Sequence, residues 1–173
     1  MEEFSDPYLL VEFTDAESRV YWMEHMTRDR NKYFLEMAEH VSTMSTCSRR
    51  RVGCVIVDNH FQVMSTGYNG VASGMPHCTE GNSCPAAEAK SGADLDGCYA
   101  VHAEINALIQ CRAPQNIDTI YVSVTPCVQC LKALMNTGCK TIVARHKYPN
   151  SMLGEWVRSG RSIRVIGEEC DIM

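Results

Sequence analysis

No stretch of this 173-residue sequence approaches the roughly 20 consecutive apolar residues of a membrane-spanning helix, so no helical span is expected. The opening residues, Met1-Glu2-Glu3-Phe4-Ser5-Asp6, lack the basic cluster that begins a secretory signal. Positive charge is scarce as well. Sixteen Lys and Arg stand against 21 Asp and Glu, a net charge of −5, whereas a protein that grips long nucleic acid needs a broad basic surface. A polymeric nucleic-acid partner is therefore not expected. Internal repeats, low-complexity tracts and linkers are missing too, which argues against a solenoid or a flexible multidomain layout. Cysteine is the exception, with ten. In the absence of a signal, these thiols suggest a reducing, cytoplasmic setting, where cysteines serve metals more often than disulfides.

At this length one domain is expected, over residues 28–173, behind an N-terminal extension at 1–27. The pattern permits a short helix around 15–26. Residues 28–44 read as an amphipathic helix, with Tyr33, Phe34, Met37, Ala38, Val41 and Met44 at three- and four-residue steps. Val52 to Asp58 is a short apolar run rich in β-branched residues, hence a buried strand. Asp58-Asn59-His60 supplies turn chemistry, and Gln62 to Tyr68 returns as the second strand of a hairpin. Residues 69–99 hold five glycines and no clear period, which marks a functional loop or one tied down by something. A helix over His102 to Arg112 has Ile105, Leu108 and Ile109 inward. After a strand at Thr119 to Val124, Thr125 fits an N-cap and Pro126 the first helical position, and Gly138 closes that helix near Thr137. A strand over Thr141 to Arg145 follows. A helix over Pro149 to Ser159 then has Met152, Leu153, Trp156 and Val157 on one side, and Ser162 to Gly167 is the last strand. The order α-β-β-α-β-α-β-α-β predicts an α/β fold. Its five-stranded mixed sheet has three parallel strands joined through helices and lies between helical layers.

The chemistry is written in His102-Ala103-Glu104 and, after a gap, Pro126-Cys127-Val128-Gln129-Cys130. Cys127 and Cys130 lie three apart and face the same way on a helix. In its first turns, unpaired N–H groups and the helix dipole favour a thiolate. His102, at another helix start, can bring a third ligand across. Three protein ligands leave the fourth tetrahedral position of zinc open to water, as in catalytic sites. Zinc lowers the pKa of that water towards about 7. Glu104 lies two residues past His102, about 200° around an ideal helix, so it need not compete as a ligand. At a helix start it can still lean into the pocket. There it would take a proton from the zinc water, pass it to a ring nitrogen and later help protonate a departing amine. Each half of the pattern is weak alone, since C-x-x-C is often structural and H-x-E arises by chance. A purely structural zinc would need a fourth protein ligand and would leave Glu104 without a task.

Together, H-x-E…P-C-x-x-C is the established signature of zinc-dependent nucleobase deaminases. Three longer segments sharpen it: His102-Ala103-Glu104-Ile105-Asn106-Ala107-Leu108, Thr125-Pro126-Cys127-Val128-Gln129-Cys130 and Gly67-Tyr68-Asn69-Gly70. With the Val52-Gly53-Cys54-Val55-Ile56-Val57 strand, they resemble the deoxycytidylate (dCMP) deaminases, bacterial and phage members above all, over residues 30–167. The resemblance implies a three-layer α/β/α cytidine-deaminase-like fold. The implied reaction converts dCMP and water to dUMP and ammonia, supplying dUMP for thymidylate synthesis. It further implies a homo-oligomer, typically a hexamer, activated by dCTP and inhibited by dTTP, with magnesium accompanying the triphosphate. On this resemblance Gly67, Tyr68 and Gly70 belong to the regulatory nucleotide site, and Asn69, Ala103 and Tyr148 to the substrate site, with Asn69 meeting the deoxyribose.

Elementary chemistry supports parts of this reading. An Asn can offer both donor and acceptor to a hydroxyl, although an ordinary turn also explains Asn69. A monophosphate needs a cation or a set of N–H donors, and Arg49-Arg50-Arg51 is the one concentrated basic run, either a phosphate contact or a solvated segment. Cys47, His77, Cys78, Cys84 and Cys98 bracket the long loop. In some relatives this region holds a second, structural zinc, while unlinked buried thiols are the alternative. Two other functions stay open. One is deamination of a different substrate, a tRNA base or a free nucleoside. The acidic balance speaks against RNA. The helical crossover at 149–160 speaks against the free-cytidine branch, whose last strands are joined more directly and run antiparallel. The other is a non-catalytic zinc-held interaction module.

Overall fold

The computed structural model describes residues 29–78, 84, 86, 97–148 and 152–167. The segment 1–27, the helix expected at 15–26 and most of 79–96 lie outside the described residues. In chain order, helix α1 (Arg30–Ser42) leads into strands β1 (Gly53–Val57), β2 (Val63–Tyr68) and β3 (Gly70–Val71). Then come β4 (Ala100–Val101), α2 (Ala103–Gln110), a 3-10 turn at Pro114–Asn116, β5 (Thr119–Val124) and α3 (Val128–Met135). Strand β6 (Thr141–His146), α4 (Leu153–Arg158) and β7 (Ser162–Val165) follow as the last elements of the described residues. Among the described residues, no helix is long and apolar enough to cross a membrane.

The sheet order is β2-β1-β5-β6-β7. Strand β1 pairs antiparallel with β2, and β5, β6 and β7 run parallel, as the element order predicts; the structure adds that β1 also pairs antiparallel with β5. The hairpin turn is held by Asp58, whose Oδ1 accepts from the N–H groups of His60 and Gln62 at 2.9 and 2.8 Å. Strand residues alternate between two cores with the period of two that a pleated strand imposes. Val55, Val57, Tyr121 and Val143 pack under Phe34, Leu35 and Ala38 of α1. On the opposite face, Cys54, Ile56, Ile120, Val122, Ile142 and Ala144 share a core with Ala103 and Ala107 of α2, Leu131 and Leu134 of α3, and Trp156 of α4. The result is the α/β/α layering expected from the sequence, and β1, covered on both faces, is buried throughout.

Helix faces depart from the expected ones. Tyr33 and Met44 are exposed, and Leu35 fills the inward position of α1. On α2 the small residues Ala103 and Ala107 face the sheet, because β2 approaches too closely for larger ones; Ile109 is 72% exposed and Ile105 and Leu108 lie at the margin. On α4 Val157 points outward while Trp156 is buried and donates its indole N–H to the Ser162 carbonyl at 2.9 Å. Helix α3 begins later than expected. Its N-cap is Cys127, so Thr125 and Pro126 precede the helix, and it ends at Asn136 ahead of Gly138. Gly138 serves close packing: a Cβ there would strike the Gln115 carbonyl. The long loop is closed by a two-stranded ribbon, β3 with β4, that the sequence pattern does not announce.

Gly67 sets the distance between β2 and α2. A Cβ at this position would collide with the Ala103 carbonyl oxygen and the Ala107 nitrogen, both backbone atoms of the helix. The substitution Gly67→Ala is expected to destabilise the fold by about 1–3 kcal/mol, the scale of core overpacking. Denaturant unfolding measures it, and an unchanged midpoint would show that α2 can move away freely.

Candidate metal centre and catalytic cavity

The carboxyl ends of parallel strands in an open α/β sheet are where ligands bind, at a point where strand direction changes. Strand β5 is that point here, antiparallel to β1 and parallel to β6. Cys127 follows its end as the N-cap of α3, in extended conformation, and Cys130 is the third residue of that helix. His102 follows β4 and is the N-cap of α2, also extended. His102 Nδ1 lies 3.3 Å from the sulfur of Cys127 and 3.3 Å from that of Cys130. All three ligand atoms lie within 4.8 Å of one another, and among the described residues no fourth His, Cys, Asp or Glu joins them. Zinc bonds of ~2.1 Å to nitrogen and ~2.3 Å to sulfur place tetrahedral N and S ligands roughly 3.6 Å apart. The His–Cys separations are within a few tenths of an ångström of that value. One imidazole and two sulfurs, with no fourth protein ligand among the described residues, fit a zinc site with an open position.

Glu104 is 4% exposed and exchanges a hydrogen bond with the Cys130 thiol. The helical angle of the sequence argument does not apply, because His102 stands outside the helix; its extended backbone brings ligand and carboxyl to one spot. Burial pushes the Glu104 carboxyl above the ordinary carboxylate range, opposed in part by its own backbone N–H and by His102. Hydrogen bonding from the Cys130 thiol pulls Cys127 down to about 4 against its burial, with His102 adding to the effect. Cys130 is pushed well up, first by Cys127 and then by burial and Glu104. His102 is raised chiefly by its hydrogen bond with Cys127. The four groups share protons closely, so a divalent cation bound by three of them displaces protons on binding.

A cavity of about 190 Å³ opens beside this cluster. It brings together most of the residues singled out from the sequence: His102, Ala103, Glu104 and Cys127, with Asn69, Tyr148, Arg49 and Arg50. Asn69 is buried, and its side chain is mostly engaged. Its Oδ1 accepts from the Val52 N–H and the Ser45 hydroxyl, both at 2.7 Å, and its Nδ2 donates to the Arg50 carbonyl at 2.8 Å. One Nδ2 hydrogen remains of the four positions the amide offers. The Arg50 guanidinium lies 5.9 Å from the centre of the Tyr148 ring. Arg51 does not line the cavity; it is exposed and reaches the Thr43 carbonyl at 3.5 Å. Gly67, Tyr68 and Gly70 are also outside the lining. Gly67 packs under α2, the Tyr68 carbonyl accepts from Asn106 at 2.8 Å, and Gly70 lies against Thr46. Thr125, read as a helix cap, is instead a cavity residue.

Cys47 and Cys98 line the same cavity. Cys98 Sγ is 4.0 Å from Cys84 Sγ. Burial raises the Cys78 thiol, and Cys84, Cys47 and Cys98 add to the rise, so the four sulfurs form one neighbourhood. They do not form a compact ligand set, and His77 is exposed.

Residues 28–146 match the family model described as the cytidine and deoxycytidylate deaminase zinc-binding region. A deoxycytidylate deaminase of Schizosaccharomyces pombe is 38% identical over 122 residues, 68% of this chain. The chain spans 37% of the length of that relative. A deoxycytidylate deaminase of Mycobacterium phage D29 is 35% identical over 125 residues, covering 66% of this chain and 93% of the phage protein. Among solved structures, a dCMP deaminase of cyanophage S-TIM5 in complex with dCMP and dUMP superposes with a TM-score of 0.59 at 26% identity, over 84% of this chain and 100% of that one.

The Cys127→Ser variant is expected to lose one equivalent of zinc per chain, because a hydroxyl replaces a thiolate in a three-ligand site. Elemental analysis of the purified protein measures it; full retention would place the metal elsewhere.

Proposed function

We propose that this chain, which belongs to the cytidine and deoxycytidylate deaminase family, hydrolyses the 4-amino group of dCMP, yielding dUMP and ammonia. The observation that carries this reading is a buried carboxyl, Glu104, beside a three-ligand N/S set that opens on a cavity. When bound at His102, Cys127 and Cys130, zinc supplies an acidified water and a Lewis acid. Glu104 would take a proton from the attacking water on a carboxylate oxygen and deliver it to the ring nitrogen next to the amine, as the water oxygen bonds to the amine-bearing carbon. It then carries the second proton to the leaving nitrogen, which departs as ammonia.

The remaining roles follow from the cavity. The free Nδ2 hydrogen of Asn69 is available to a deoxyribose hydroxyl. Ala103, first residue of α2, offers a backbone N–H without an intrahelical acceptor. Tyr148 forms wall, and Arg49 and Arg50 are the cations within reach of a 5′-phosphate. The phage relatives named as dCMP deaminases support the nucleotide over a free nucleoside. So does the last strand, since β7 runs parallel to β6.

Finer parts of the reading rest on the resemblance. They are a homo-hexamer, activation by dCTP with magnesium, inhibition by dTTP at a site that includes Gly67, Tyr68 and Gly70, and a cytoplasmic setting. A second, structural zinc that would close the long loop also rests on the resemblance; Cys47, Cys78, Cys84 and Cys98 share one neighbourhood without forming a compact ligand set.

The decisive variant is Glu104→Gln. Zinc content and melting temperature should stay unchanged while turnover of dCMP falls by several orders of magnitude. Loss of cytosine absorbance reports it, run on dCMP, CMP, dCTP and deoxycytidine, with and without dCTP and dTTP as effectors. Full activity in this variant removes Glu104 from the mechanism, and equal rates on deoxycytidine remove the nucleotide. For the second zinc, Cys78→Ser should reduce zinc from two equivalents per chain to one, again by elemental analysis; one equivalent in the parent protein would leave these four cysteines as free thiols.

A further inference from the structure

We infer that Thr125 is a positioning residue for the cavity, holding Tyr148 by both of its main-chain groups. The inference rests on the deaminase reading and adds to it a residue that, besides lining the cavity itself, holds a second wall residue in place. Strands β5 and β6 are in register at Val124 and His146. One residue on, the Thr125 N–H donates to the His146 carbonyl at 2.9 Å. The ladder stops there, and a side chain takes over. Thr125 Oγ1 accepts from the Tyr148 N–H at 2.7 Å and lies 3.2 Å from the Tyr148 carbonyl, to which it donates. A hydroxyl carries one donor and two acceptor lone pairs, so it can make both bonds at once. Thr125 is 3% exposed, and water cannot readily substitute for it.

The consequence lies in what Tyr148 does next. Tyr148 shares the cavity lining with His102, Glu104 and Cys127, and its ring carries the Arg50 guanidinium 5.9 Å from its centre. The Arg50 carbonyl is itself gripped by Asn69. The ring and the cation form one wall, fixed from one side by Asn69 and from the other by Thr125. Thr125 also precedes Cys127 by two residues, so the same short segment sets both the metal ligand and the wall. Reacting groups must be held to within about an ångström for full effect.

The test uses the zinc-loaded full chain with Thr125→Val, which keeps the shape and removes both bonds, and Thr125→Ser, which keeps the hydroxyl. The readouts are KM and kcat for dCMP and the dissociation constant of dUMP by calorimetry. Thr125→Val should weaken dUMP and raise KM roughly tenfold, the scale of one to two neutral hydrogen bonds, with a smaller change in kcat. Thr125→Ser should restore the parent values. In the double variant Thr125→Val/Tyr148→Ala, dUMP should bind no more weakly than to Tyr148→Ala alone, because both changes remove the same wall. A merely structural hydroxyl would lower the melting temperature of Thr125→Val and leave KM unchanged, and that result overturns the proposal. Fully additive losses in the double variant overturn it as well. Should Thr125→Val fail to fold, Thr125→Cys, a weak hydrogen bonder of similar size, is expected to show the same loss. A parent protein that binds dUMP but deaminates no dCMP sinks the catalytic reading while the binding arm still reads the clamp. A parent that binds no dUMP sinks both.

Discussion

One imidazole nitrogen and two sulfurs must meet in a space a single ion can fill, and much of the fold is arranged around that requirement. His102 and Cys127 lie 25 residues apart, on the caps of different helices. Each helix is anchored through its apolar face to the same side of the sheet, Ala103 and Ala107 for one and Leu131 and Leu134 for the other. The close approach of α2 to β2 over Gly67 keeps the His102 end low against the sheet. Strand β5, buried along its whole length, presents the Cys127 end. Burial that secures the layers thus also desolvates Glu104, and desolvation raises its carboxyl above the ordinary carboxylate range.

The strands were readable from the sequence because their signal is local. Val52 to Asp58 and Thr119 to Val124 are β-branched runs bounded by turn residues, and both faces of the sheet are covered. The candidate metal ligands, which the fold brings together, were readable because their spacing is itself the chemistry. The helix faces were less so. An eight-residue helix such as α2 has about two turns, and its periodic positions do not reveal that a neighbouring strand leaves room only for alanine; hence Ile109 was expected inward and lies in solvent. Short-range rules also mislead where a distant partner competes. Thr125 before Pro126 has the look of a helix start, but its hydroxyl is taken by Tyr148, 23 residues away. The ribbon of β3 and β4 joins two-residue pieces about 30 positions apart, too little sequence to carry a pattern.

Two buried polar side chains, Asn69 and Thr125, shape the cavity without belonging to the ligand set. Asn69 gathers Ser45, Arg50 and Val52. Thr125 gathers Tyr148. Buried polar networks of this kind are costly when broken, since each orphaned donor or acceptor loses its partner away from water.

Both side chains grip main-chain atoms of the loops they hold. The amide of Asn69 grips the Arg50 carbonyl and the Val52 nitrogen, and the hydroxyl of Thr125 grips both polar groups of Tyr148. Such a grip is indifferent to what the gripped residue carries on its Cβ. Positions 50 and 148 can therefore be exchanged while their loops stay put, which lets the scaffold explore new ligands without renegotiating the geometry of its metal centre.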